Sequence, residues 1–202
     1  MKDVGPLSKP STPERWNDLY ADGSLPWDKG GPSPPLVRFL AEQSMAPARI
    51  LVPGCGRGHE AVHLDQDGHD VVAIDFAPLA TVHAQKTYPD STVDWRVADF
   101  FTFLDTGERF DVCVEHTLFC AIDPKRRDEY VEAVLRLLRP GGSLIGVFYA
   151  HGKDGGPPFT TTEAEIRRRF GKHFSFPLVE VPRDSFPNRA GKEILVWMER
   201  LD

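Results

Sequence analysis

The stretch from Ala48 to Asp75 constrains this chain more than any other. Ile50-Leu51-Val52 is an apolar run of β-formers, which reads as a buried parallel strand. Gly54, Gly56 and Gly58 follow at alternate positions. Only glycine lets a backbone turn sharply and also approach a ligand closely. His59 to Gln66 reads as a helix, with Ala61, Val62 and Leu64 as its apolar positions and Gly68 placed to stop it. Val71 to Asp75 is a second strand that ends in a carboxylate. Strand, glycine turn, helix, strand, acid is the first half of a nucleoside-binding βαβ unit.

Asp75 lies about 20 residues after Gly54, where a carboxylate can accept hydrogen bonds from ribose hydroxyls. A dinucleotide fingerprint, G-x-G-x-x-G, would place its third glycine at position 59, where this chain has His59. G-x-G-x-G fits S-adenosylmethionine better, because that ligand has no pyrophosphate to seat on a helix N-terminus. The plainer alternative is a tight strand-to-helix turn with no ligand, and the acid at the next strand end weighs against it.

The 202 residues suit one domain with a sizeable core. A formal net charge of -6 argues against a nucleic-acid backbone binder. The N-terminal Met1-Lys2-Asp3 leads into no apolar segment, and no run approaches a membrane span, so neither a signal peptide nor a membrane partner is expected. Cys55, Cys113 and Cys120 form no C-x-x-C pair, which suggests reduced thiols in a cytoplasmic protein. His and Cys show no metal-ligand spacing, so no metal is expected.

The chain divides into a flexible tail (1–13), an N-terminal segment (14–45) and a core (46–202) within a single domain. Trp16, Tyr20 and Trp27 lie in the second part, beside the Gly/Pro-rich run Gly30-Gly31-Pro32-Ser33-Pro34-Pro35. Trp16 and Tyr20 are four apart and share a face if helical. Such a segment is either a lid over a flat or cationic ligand or a strap pinned to the core by its aromatics. Leu36 to Gln43 reads as a helix.

Beyond Asp75, Pro78 to Lys86 reads as a helix and the alternation of Val93, Trp95 and Val97 as a third strand ending at Ala98-Asp99-Phe100. Asp99 there is either an acceptor for an adenine amino group or a helix cap, and Phe100 is placed to pack on a base. Residues 110–115 alternate as a fourth strand, with His116 at its exit. Asp123-Pro124 opens a helix that Arg139-Pro140-Gly141-Gly142 ends, and Ser143 to Ala150 is a fifth strand. Thr162-x-x-Glu165 is a capping box, Arg167-Arg168-Arg169 reads as a solvated face, and Phe176 to Val181 and Lys192 to Glu199 are two late strands. The expected fold is α/β: a doubly wound, mainly parallel, seven-stranded Rossmann-like sheet.

The chain resembles the thiopurine S-methyltransferase-like family of class I methyltransferases, in particular its halide and thiol branch. The matching stretches are Trp27-Asp28-Lys29-Gly30, Val52 to Gly58, Thr117 to Pro124, Gly155-Gly156-Pro157-Pro158-Phe159 and Arg189-x-Gly191-Lys192-Glu193. The resemblance implies S-adenosylmethionine as donor and an aromatic lid of Trp16, Tyr20 and Trp27 over it. It implies Gly54 against the cofactor backbone, Asp75 on the ribose, Ala98 and Asp99 flanking adenine, and His116 near the donor's amino-acid end, beside the Gly56 and Phe100 that the turn and the third strand already place there. It also implies one antiparallel strand in the late sheet; no general base is required, and the acceptor-side candidates are His116, Phe159 and Arg189.

Displacement at a methyl on a sulfonium asks only that donor and acceptor be held together and water excluded. The sequence has no obvious base dyad, and Glu115-His116-Thr117-Leu118 stands where amino-directed DNA methyltransferases carry Asp/Asn-Pro-Pro-Tyr. The expected acceptor is therefore a small soft nucleophile, a thiol, thiocyanate, halide or thiopurine, and the expected enzyme a monomer. The competing readings are a non-catalytic binder of the cofactor or its product, and an NAD(P)-dependent oxidoreductase, against which His59 counts.

Overall fold

The computed structural model describes residues 12–202. Seven strands form one sheet in the order β3-β2-β1-β4-β5-β7-β6. They are β1 (Arg49–Pro53), β2 (Asp70–Asp75), β3 (Asp94–Val97), β4 (Phe110–His116), β5 (Leu138–Tyr149), β6 (Phe174–Glu180) and β7 (Glu193–Arg200). The first five pair in parallel, and β7 runs antiparallel between β5 and β6.

Strand periodicity divides the apolar residues between two cores. On one face Ile50, Val52, Val71, Ala73 and Val114 pack with α2 (Pro34–Gln43) and α3 (His59–Gln66). On the other, Leu51, Val72, Ile74 and Leu144 pack with α5 (Phe100–Phe103), α6 (Arg127–Leu137) and α7 (Glu163–Phe170). Each fully buried Leu, Ile or Phe contributes about 1.5–3 kcal/mol, so these two layers carry most of the fold. A third, smaller cluster joins α1 (Pro13–Ala21) to α4 (Pro78–Thr87): Tyr20 packs with Ala77 and Ala80, flanked by Trp16, Trp27 and Phe76.

Residues 1–11 of the expected tail lie outside the described residues, and Thr12 and Pro13 belong to α1 as its cap and first residue. Asp123-Pro124 opens a turn of 3-10 helix (Pro124–Arg126), and α6 starts only at Arg127. The Arg139–Gly142 stretch lies within β5, not in a separate turn. Phe110 pairs with Leu138 but Val112 with Ser143, so residues 139–142 bulge opposite Asp111. Arg169 does not join the solvated face. Helical spacing sets it beside Glu165 at 2.9 Å, it also pairs with Asp128, and its side chain is only 10% exposed.

Candidate active site

The strand order reverses between β1 and β4, and at that switch point the carboxyl ends of the strands open into a cavity of about 690 Å³. The glycine turn forms its floor. Gly56 has φ 54° and Gly58 φ 81°, in the region where a side chain is strained. Their roles differ. A Cβ on Gly58 would sit 2.3 Å from the Trp95 ring, so that glycine serves the packing of α3 on the sheet. A Cβ on Gly56 would meet only the Tyr20 hydroxyl, at 3.1 Å, across the cavity wall.

Asp75 ties the turn to β2. Its Oδ2 accepts from Gly56 N at 3.0 Å and its Oδ1 from Ala77 N at 2.9 Å. Burial pushes this carboxyl up to about 6, against the lowering effect of the amides of Ala77, Gly56 and Phe76. Because the folded value lies above the ordinary 3.8, protonation of this carboxyl adds stability to the fold relative to the unfolded chain. That contribution is lost as pH rises through the window between those two values. If Asp75 takes the ribose hydroxyls, as the sequence predicts, their charge-assisted bonds need its ionised form. S-adenosylhomocysteine binding should therefore weaken as pH falls below about 6 and release a proton there. Calorimetry across pH 5 to 8 in two buffers of different ionisation enthalpy checks this, and a flat profile would exclude it.

The N-terminal segment roofs the cavity. Trp16 and Trp27 meet edge-on with ring centroids 5.0 Å apart, and Tyr20 lies 6.0 Å from Trp27. Their segment is bonded to the core by side chains. Asp28 pairs with His59 Nε2 at 3.0 Å and Arg57 at 3.1 Å, and Asn17 Oδ1 accepts from Leu79 N at 2.9 Å. Ala98, Asp99 and Phe100 line the side below β3, and Gly54 lines the floor. Asp99 also caps α5, accepting from Phe101 N at 2.9 Å, so the cap reading of that residue holds.

At the far end stand His116 and Arg189. His116 Nδ1 lies 2.7 Å from Glu60 Oε1, and Arg189 Nη1 lies 3.1 Å from His116 Nε2. A guanidinium can only donate, so on this contact Nε2 is the acceptor and Nδ1 presents its proton to Glu60. Arg189 also reaches Glu193 at 3.2 Å and the Trp27 carbonyl at 3.0 Å, and its guanidinium faces the Tyr149 ring at 5.2 Å. Burial raises the Glu60 carboxyl, while the hydrogen bond from His116 and the Glu60 and Ser33 amides lower it.

Phe159 is not among the lining residues. Its amide donates to the Cys120 carbonyl at 2.7 Å, and Pro157 and Pro158 present the loop to the cavity instead. Buried Arg127 pins this loop from behind, donating to the carbonyls of Phe159 and Thr160 at 3.2 Å each. Thr117, next to His116, holds φ 69°, a strained conformation for a β-branched residue that costs about 1–3 kcal/mol and is typical of functional sites. Among the described residues no group of three or more His, Cys, Asp or Glu side chains is placed to hold a metal, and no helix is long and apolar enough to cross a membrane.

The 1,6-didemethyltoxoflavin-N1-methyltransferase of Burkholderia thailandensis, solved with S-adenosylhomocysteine, shares this fold with a TM-score of 0.75 at 21% identity, over 100% of this chain and 98% of that one. The sheet and its switch-point cavity define a class I, Rossmann-like methyltransferase fold. The family model for thiopurine S-methyltransferase matches residues 11–200. Thiocyanate methyltransferase 1 of Brassica oleracea is 34% identical over 188 residues, 89% of this chain and 82% of its own. Probable thiol methyltransferase 2 of Arabidopsis thaliana is 32% identical, over 76% of this chain and 70% of its own. The chain belongs to the thiopurine S-methyltransferase family and is an S-adenosylmethionine-dependent methyltransferase.

The residues present fit that cofactor: a glycine floor that a Cβ at 56 would obstruct, a buried carboxylate in the wall and an aromatic roof.

Proposed function

We propose that the chain methylates a small soft nucleophile, a thiol, thiocyanate, halide or thiopurine, by in-line displacement. The carrying observation is the far end of the cavity, where a buried guanidinium, Arg189, stands beside a histidine whose Nε2 lone pair is already committed to it. That end offers guanidinium donors, their charge balanced by Glu193, and no ready general base, which suits an acceptor that arrives already as an anion or thiolate. The names of the Brassica and Arabidopsis relatives support the same class.

S-adenosylmethionine supplies an electrophilic methyl on a sulfonium. On this reading Asp75 and the glycine turn hold the nucleoside, and Trp16, Tyr20 and Trp27 close over it as a lid. An aromatic face beside a sulfonium contributes about 0.5–2 kcal/mol. The closed roof excludes water, and Arg189 orients the acceptor. A panel of iodide, thiocyanate, bisulfide, an aromatic thiol and a thiopurine with methyl-labelled donor tests this. At least one should be methylated, while a catechol and an amine should not. Transfer to the catechol or amine alone would overturn the soft-acceptor reading.

A further inference from the structure

Glu60 sits in the first turn of α3, and its side chain is 12% exposed. One oxygen, Oε1, accepts from two directions: His116 Nδ1 at 2.7 Å and the backbone amide of Ser33 at 3.0 Å. Across the imidazole, Arg189 donates to Nε2 and also to the Trp27 carbonyl. These four contacts make a closed circuit from Ser33 through Glu60, His116 and Arg189 back to Trp27. Both ends of the circuit are backbone atoms of the N-terminal segment, and its middle is the far end of the cavity.

From this geometry we propose that Glu60 is a positioning residue: it holds His116 as the Nδ1–H tautomer, thereby aims Arg189 at the acceptor, and seats the lid at Ser33. The acceptor part rests on the function proposed above. The chemistry is directional. If the proton moved to Nε2, it would point at a group that carries only donors, and Arg189 would lose its seat on the ring, leaving Glu193 and the Trp27 carbonyl to set its pose. A carboxylate on Nδ1–H is the partner that prevents this, because an ionised acceptor makes the stronger, shorter bond. Lid seating and the pose of the cation are therefore one event.

The test compares the full-length wild type with Glu60→Ala and Glu60→Gln, all with S-adenosylhomocysteine and no acceptor. Nitrogen-15 spectra of the histidine rings should show His116 as the Nδ1–H tautomer in the wild type. Glu60→Gln keeps an Oε1 acceptor and should retain that signature. Glu60→Ala should lose it, and the amide of Ser33 should exchange at least tenfold faster. With thiocyanate as acceptor, Glu60→Ala should raise KM for thiocyanate on the order of tenfold, as loss of one charge-assisted hydrogen bond would. KM for the donor should change less than threefold. An Nε2–H tautomer in the wild type overturns the proposal without any variant, so a Glu60→Ala protein that fails to fold leaves it falsifiable. Unchanged tautomer and unchanged Ser33 exchange in a folded Glu60→Ala also overturn it. The first two readouts use no acceptor, so they decide the proposal even where thiocyanate is not turned over.

Discussion

Replacing Asp75 by alanine should raise the dissociation constant for S-adenosylhomocysteine on the order of tenfold to a thousandfold. A carboxylate that accepts ribose hydroxyls makes charge-assisted bonds worth roughly 1.5–3 kcal/mol each, and one or two would be lost. The structure adds a second loss. Asp75 is also the acceptor for Gly56 N and Ala77 N, so alanine leaves two amides of the turn without it, at about 1–3 kcal/mol for each that stays buried and unpaired. Binding and stability should thus both fall. Asparagine is no gentle substitute, because its NH2 would face one of those two N–H donors. Calorimetry at pH 7.5, with circular dichroism to establish the fold, separates the two effects. An unchanged dissociation constant in a folded Asp75→Ala would remove Asp75 from the site.

The half of this site that lies within one βαβ unit is legible in the sequence, because its signals are local. β-formers, alternate glycines and an acid at the next strand end lie within residues 48–75, and β1, α3 and β2 form there as the spacing predicts. The other half is assembled by contacts between distant residues. Arg189 and His116 are separated by 73 positions, and His116 and Glu60 by 56. Periodicity says only that Glu60 sits in a first helical turn, where an acid is ordinary. His59 entered as the residue that breaks a dinucleotide fingerprint, and its partners Asp28 and Tyr88 emerge only in three dimensions. The family likeness supplied Arg189 and the 155–159 loop but not the loop's orientation, since a motif does not say which side chain faces inward. The bulge at 139–142 was hidden for a similar reason. Pro-Gly-Gly marks a turn locally, and here the pairing of β5 with β4 absorbs it into a strand.

Replacing Gly56 by valine should abolish detectable S-adenosylhomocysteine binding while leaving a folded domain. Three effects add. The native φ of 54° is one a β-branched residue tolerates badly, at about 1–2 kcal/mol. The new Cβ would stand 3.1 Å from the Tyr20 hydroxyl, and the two γ-methyls of valine add bulk at the floor of the cavity. Shifting the turn to relieve them pulls Gly56 N from Asp75. The strain alone should lower the melting temperature by only about 2–8 °C, since 1 kcal/mol is about 2–4 °C at this size. Gly107 provides the matched control. Its φ is 77°, nothing lies within 4 Å of a Cβ built there, and it is not among the residues lining the cavity. Gly107→Val should carry similar backbone strain and keep wild-type affinity. Near-wild-type affinity in Gly56→Val would show that the cofactor lies elsewhere, whereas an equal loss in both variants would trace the effect to general destabilisation. A large loss in Gly56→Val alone is the expected pattern, because only there does the added side chain occupy space that belongs to the ligand.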